Sequence, residues 1–242
     1  MKITFFAEHN ASMDSPEGKL AYPEGMNECL RLLMASDGHE VTMIVHGPDD
    51  DGSELTEEIL KNTDVLVWWG HWYHGSVNPA VVDMVVDYVN RGMGMLALHS
   101  AHESKPMQRL MGTTGALSWR EMGENERVWV IDKTHPVAQG LGDYIDIEHE
   151  EMYGEPFAIP APDELVFISW FRGGEVMRSG CTFKRGFGKL FYFRPGHETL
   201  PTYHNEQVRR VILNALEYLK PARPVAVAPI KSFHAQTPPE KI

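Results

Sequence analysis

Four short apolar runs, each followed by a segment of helical spacing, restrict this chain more than any other feature. Ile3–Ala7, Val41–Val45, Asp64–Gly70 and Met93–Leu98 have strand length and read as strands buried within a sheet. Between them lie Gly25–Ser36, with apolar Met26, Leu30, Leu33 and Met34, and Leu55–Lys61, with Ser53 or Thr56 as its cap. A third helix begins at Asn78-Pro79, carries Val82, Val85, Val86 and Val89 on one stripe, and ends at Arg91-Gly92. Strands alternating with helices predict a parallel sheet covered on both faces, an α/β architecture.

Beyond Gly112 the pattern changes. "RVWVID", "ELVFISWF", "EVMRSGCTF" and "KLFYFRP" follow one another with turn-rich links and no long helix between them. They predict a mixed edge or a small antiparallel extension. Thr202–Leu219 then reads as a long final helix, with Val208, Val211, Ile212, Ala215, Leu216 and Leu219 on one face. Residues 1–220 therefore form one α/β domain. Pro221–Ile242 holds five prolines and no amphipathic period, so it reads as an extended tail on its own domain or on a neighbouring subunit, and a homo-oligomer is expected.

Composition narrows the setting. A net charge of −12 argues against nucleic acid and anionic membranes as partners. No apolar run approaches the roughly 18 residues of a membrane span, and "MKITFFAEH" turns polar too soon for a signal peptide. Two cysteines, Cys29 and Cys181, cannot build a disulfide framework. A reducing cytoplasm is the expected compartment.

Chemistry gathers where strands end. The fourth strand stops at His99-Ser100-Ala101-His102-Glu103 and passes into Lys105-Pro106 and a helical segment, the elbow on which many α/β enzymes present a nucleophile. Of 12 histidines, seven (His9, His46, His71, His74, His99, His102 and His197) fall at the C-terminal ends of predicted strands or just beyond. In a parallel sheet those ends share one rim, where ligands bind. His71-Trp72-Tyr73-His74 can give two imidazoles to one metal or fan them apart, and Trp72 and Tyr73 can stack on a sugar ring. Ile147–Phe157 crowds Glu148, Glu150, Glu151 and Glu155 around His149. Such a run either faces solvent, binds a cation or shares a proton. Finally, Gly188–Glu198 reads as a buried strand delivering Arg194-Pro195-Gly196 and then His197-Glu198.

"LVWWGHWYHG", "LALHSAHESKPMQRLMGT", "EEMYGEPF", "MRSGCTFKRGFGKLFYFRPGHE" and "TYHNEQVRRVILNAL" together resemble the ThuA family, the trehalose utilisation proteins, over about Ile3 to Lys220. The resemblance implies a flavodoxin-like three-layer sandwich similar to class I glutamine amidotransferases. In those enzymes a strand ends at an elbow cysteine and a late strand ends in His-Pro-Glu. His197 then falls at the triad histidine and Glu198 near its acid, while the nucleophile position falls on Ala101, which has none. What the resemblance implies instead is disaccharide catabolism on trehalose-like sugars or their 3-keto derivatives.

Such chemistry needs a base, an electrophile and an acid. Glu150 or Glu151 is the candidate base. His99, His197 and His71 are candidates to hold a divalent cation, zinc favoured, or to polarise a carbonyl, with Glu198 orienting His197. Trp72, Tyr73, His74, Ser100, His102, Glu155 and Arg194 are the candidate sugar contacts. A small carbohydrate is the expected partner, and no nucleotide cofactor is expected. Two other readings stand beside this one: a sugar-binding or regulatory protein without turnover, and a cysteine hydrolase using Cys181, which sits on a predicted strand rather than an elbow.

Overall fold

The computed structural model describes residues 1–222 together with 232, 234, 237 and 238. The tail expected over 221–242 lies, apart from those positions, outside the described residues. Nine strands form one mixed sheet: β1 (Lys2–Glu8), β2 (Glu40–His46), β3 (Val65–Trp69), β4 (Gly94–Leu98), β5 (Ser118–Val130), β6 (Tyr144–Gly154), β7 (Glu164–Phe171), β8 (Val176–Arg185) and β9 (Gly188–Phe193). Their order is β2-β1-β3-β4-β9-β8-β7-β5-β6. From β2 to β9 every pairing is parallel, and from β9 to β6 every pairing is antiparallel. β9 is the seam.

The helices are α1 (Pro16–Ala21), α2 (Met26–Ser36), α3 (Glu57–Lys61), α4 (Pro79–Arg91), α5 (Lys105–Met111) and α6 (Glu206–Leu219). Alternation along the strands divides two cores. Ile3, Phe5 and Ala7, with Val65, Val67 and Trp69, pack beneath α2 and α6; Phe6, Leu66 and Trp68, with Met95 and Ala97, pack beneath α3, α4 and α5. Each fully buried Leu, Val or Phe contributes about 1.5–3 kcal/mol. Contact is close enough to need glycine at Gly94, where a Cβ would sit 2.4 Å from the Leu219 carbonyl oxygen under α6.

Caps follow their chemistry. Thr56 accepts from Ile59 N at the start of α3, Asn78 from Ala80 N at α4, and Asn205 from Gln207 N and Val208 N at α6. The final helix is shorter than its spacing predicts because Pro201–His204 forms a separate 3₁₀ turn. Three elements were not read from the sequence: α1, the first half of β5, and β6. The acidic Ile147–Phe157 run belongs mostly to β6, the edge strand of the sheet.

Register fixes the rim. Trp69 pairs with Leu98 and Leu98 with Phe193, so β3, β4 and β9 end level with one another. The residues just past them, His71, His99 and the Arg194–Glu198 loop, are therefore neighbours.

Candidate active site

β4 ends at Leu98, and the next residue carries the strain. His99 has φ 54°, the one non-glycine in the left-handed region among the described residues. A residue held there has lost local conformational preference to its surroundings, which is a pattern of functional sites. The 3₁₀ turn His99–Glu103 leads into α5, capped by Ser104. The His99 ring is fully buried, stacked between Trp69 (5.9 Å, 11°) and Tyr153 (5.3 Å, 18°). Its Nδ1 faces the Arg194 carbonyl oxygen at 3.3 Å, so Nδ1 carries the hydrogen and Nε2 keeps the lone pair. Nε2 lies 3.3 Å from a Glu151 carboxylate oxygen. Burial, with the charges of His71 and His197, holds the His99 pKa well below the usual value, so the ring stays neutral.

His71 is set by two carboxylates. At the end of β1, Glu8 accepts the backbone N–H groups of His71, Trp72 and Tyr73 at 2.9, 2.7 and 2.9 Å and so pins that loop. Glu198 takes the His71 Nδ1 hydrogen at 2.9 Å and also accepts from Asn10 and Ser12. Burial pulls the His71 pKa down, but the hydrogen bond to Glu198 and the charges of Glu198, Glu151 and Glu8 outweigh it and raise it. In Glu198 burial works upward and loses to the His71 hydrogen bond and the charges of His197, His71 and His99. Its pKa is held far below the carboxylate range.

His197 completes the group, and its tautomer differs. Its Nδ1 accepts Thr199 N–H at 3.2 Å, so the hydrogen sits on Nε2, which faces Glu121 at 3.4 Å. The three rings meet edge to face, with centroids 5.2 Å (His71–His99), 5.3 Å (His71–His197) and 5.5 Å (His99–His197) apart.

Neighbouring glutamates on β6 do different work. Glu151 lines the cavity, buried, with one oxygen making no hydrogen bond. Glu150, expected as an alternative base, does not line it: its carboxylate accepts Gly196 N at 2.8 Å, His197 N at 3.2 Å and Thr202 Oγ1 at 2.8 Å. Consecutive strand residues point to opposite faces, so one carboxylate faces the cavity and the other holds the His197 loop. Arg194, expected at the sugar, is also turned inward. Its fully buried guanidinium pairs with Glu126 and Glu150 and donates to the Glu151 carbonyl.

The cavity above the histidines holds about 330 Å³. Of the candidate sugar contacts, Trp72, Ser100 and His102 line it; Ser100 hydrogen-bonds Tyr153, and His102 Nδ1 donates to the Gly115 carbonyl at 2.8 Å. Burial lowers the His102 pKa to about 3, so that ring is neutral. Three expected contacts lie elsewhere. His74 is packed against Gly70 and lowered to about 4 by burial, Tyr73 belongs to the same inner region, and Glu155 is bound to Arg178 at 2.7 Å. Among the other rim histidines, His9 pairs with Asp14 and His46 bonds Ser76. Conversely, Trp119, Glu121 and Tyr153 line the cavity without having been singled out. Glu121 sits where the β5–β6 register slips between Arg120 and Glu124, and a bulge re-aims side chains in this way.

Two three-residue sets offer ligand atoms within 4.8 Å of one another: His71, His99 and Glu151, and His71, His197 and Glu198. The first set fits a cation better. His99 keeps an Nε2 lone pair because Nδ1 donates elsewhere, His71 has Nε2 left for a cation once it is deprotonated, and Glu151 has an orphaned buried oxygen. In the second set Glu198 already holds His71, the outer-sphere arrangement of histidine metal ligands, and His197 presents N–H.

The position matched to an elbow nucleophile has none: it is Ala101, fully buried, and the neighbouring Ser100 hydroxyl is tied to Tyr153. Cys181 lies in β8 with its pKa pushed up to about 12 by burial, and Cys29 lies in α2, so neither is poised as a thiolate.

The family model described as trehalose utilisation, ThuA, matches residues 19–219. The chain belongs to the ThuA family. Among solved structures it resembles a ThuA-like protein from Parabacteroides merdae ATCC 43184, with TM-score 0.65, 14% identity, and 92% of this chain and 91% of that one covered. A ThuA-like protein from Bacteroides uniformis ATCC 8492 follows at 0.61, 15% identity, and 90% of each chain. A Salmonella typhimurium protein described as cytoplasmic gives 0.57, 13% identity, and 91% and 100%. Likeness at such identity is likeness of fold. No curated protein matches this ThuA chain in sequence. None of its described helices is long and apolar enough to cross a membrane.

Proposed function

We propose that the chain is an enzyme of disaccharide breakdown acting on a trehalose-like sugar already oxidised to its 3-keto form, by elimination with the help of a divalent cation. The observation that carries this is the convergence of two imidazoles and an orphaned buried carboxylate (His71, His99, Glu151) at a sugar-sized cavity that His71 and Glu151 line. The strand order β2-β1-β3-β4-β9 is that of flavodoxin-like sheets, which supports the amidotransferase-like scaffold and a ligand at the strand ends.

His71, His99 and Glu151 would hold the ion, zinc being the favoured fit for this donor set. When bound, a divalent cation there supplies Lewis-acid polarisation of the 3-keto oxygen. Glu121 is the base we assign. It takes the proton from the carbon between the carbonyl and the glycosidic carbon, and His197 Nε2–H orients it. The electron pair left behind forms the new carbon–carbon double bond as the glycosidic C–O bond breaks. The departing sugar oxygen leaves with that bond's electrons and picks up a proton. Trp72 and Trp119, 52% and 67% exposed, flank the cavity as stacking faces for the rings.

The test is to give chelator-stripped and zinc-reloaded protein a 3-keto disaccharide in deuterated water. Release of a free monosaccharide with zinc, and its loss in Glu121→Gln, is expected. A second reading, a sugar-binding protein without turnover, draws on the same exposed tryptophans. Saturable sugar binding with no bond cleavage under either condition would establish it instead.

A further inference from the structure

A second cluster of ligating side chains stands where α2 and α6 end. His39 follows the turn Asp37-Gly38 that closes α2, and Glu217 belongs to the last turn of α6. The His39 side chain is 6% exposed, yet its Nε2 is buried without a hydrogen bond. Carboxylate oxygens of Asp37 and Glu217 lie 3.5 and 3.9 Å from that nitrogen. One ligand atom from each of the three residues falls within 4.8 Å of the other two.

Three physical facts agree on what this arrangement suits. Donors of a tetrahedral zinc site, each roughly 2.0–2.2 Å from the ion, stand about 3.3 Å apart, near the spacings found here. A ring N–H donating directly to a carboxylate would come closer, to about 2.7–2.9 Å. Moreover, both helices bring their C-terminal carbonyls, the negative end of the macrodipole, to this corner, and neither has a basic residue in its last turn. Asp37 and Glu217 add negative charge just where the helix ends already disfavour it. A cation relieves all of it at once.

We propose that Asp37, His39 and Glu217 form a divalent-cation site of zinc type that ties the α2–β2 turn to the end of α6, separate from the pocket. The donor set of one imidazole and two carboxylates, partly open to solvent, leaves a fourth position for water. Its work is to brace the helix from which the chain departs at Lys220.

Zinc(II) alone is titrated into chelator-stripped full-length protein, with heat of binding and melting temperature as readouts. In a Glu151→Gln background, which disarms the pocket, one equivalent is expected to bind and raise the melting temperature. His39→Gln, or Asp37→Asn with Glu217→Gln, removes both effects. In the otherwise wild-type chain His39→Gln lowers the zinc count by one. Unchanged stoichiometry and melting shift in His39→Gln would overturn the site. So would absence of bound zinc in the Glu151→Gln protein with wild-type circular dichroism.

Discussion

The pocket is built by two halves of one sheet that hold their side chains in opposite ways. On the parallel half, His71 and His99 each have Nδ1 committed, to Glu198 and to the Arg194 carbonyl, and their rings are walled by Trp69 and Tyr153. On the antiparallel half, Glu151 and Tyr153 of β6 are buried against those rings, whereas Trp119 and Glu121 project largely exposed from a slipped stretch of β5. One wall is fixed before any ligand arrives; the other can adjust to it. Such a division suits a site whose reacting groups need sub-ångström placement while its sugar contacts tolerate variation.

Breaking the seam between the halves should do most. Arg194 joins Glu126 and Glu150 at the end of β9, and all three are fully buried. Arg194→Leu strands two buried carboxylates and is expected to cost about 3–5 kcal/mol in denaturant unfolding. A loss below ~1 kcal/mol would mean that the two halves do not depend on this joint.

Next, the adjacent glutamates should separate cleanly. Glu151→Gln is expected to lower turnover of a 3-keto disaccharide by about 10²-fold or more with nearly unchanged melting. Glu150→Gln should instead lower stability, through weakened hold on Gly196, His197 and Thr202. The reverse assignment would show that the ligand-facing and structural roles along β6 have been exchanged.

A pH profile sharpens the same joint. Burial, reinforced by the charge of Glu150, pushes the Glu126 pKa up to about 7 despite Arg194. A carboxyl raised in the fold favours folding while protonated. Its contribution is complete below the unfolded value near 4.5 and is lost as pH climbs through 7. The stability of Glu126→Gln minus that of wild type should therefore rise with pH across that window, by at most about 3 kcal/mol, from whatever offset the lost Arg194 pair sets at low pH. Parallel stability curves for the two proteins would remove Glu126 as the titrating group.

The smallest effect belongs to the adjustable wall. Trp119→Ala is expected to raise KM about tenfold, the worth of one stacking contact, and to leave stability within ±0.5 kcal/mol. A fall in kcat at constant KM would place Trp119 with the fixed wall instead.

The parallel half was legible because burial on both faces forces continuous apolar runs, as in Val65–Trp69 and Gly94–Leu98, and because caps and helix spacing repeat locally. The rim histidines were legible for the same reason: strand ends predict position. Ser118–Glu126 was not, since its residues alternate between cavity, solvent and bulge without a period of two. Tyr153 and Glu151 were hard to tell from their neighbours, because burial at the C-terminal end of β6 comes from the loop after β9 and not from β6 itself. Arg194, in the run Arg194-Pro195-Gly196-His197, reads as a ligand contact. Only the fold reveals that two glutamates distant in sequence have claimed it.

β9 runs with one neighbour and against the other, and this governs how descendants of such a chain can vary in length. At its lower end the tight Gly186 turn to β8 touches only the end of α4, where Phe187 N–H donates to the Asn90 carbonyl at 2.9 Å, so residues added there lengthen a hairpin at the cost of that contact. At its upper end a single added residue would rotate everything after Phe193 by one pleat, taking Arg194 out of its carboxylates and His197 away from His71 and His99 together. Insertions in this lineage are therefore expected at one tip of the strand and purged from the other.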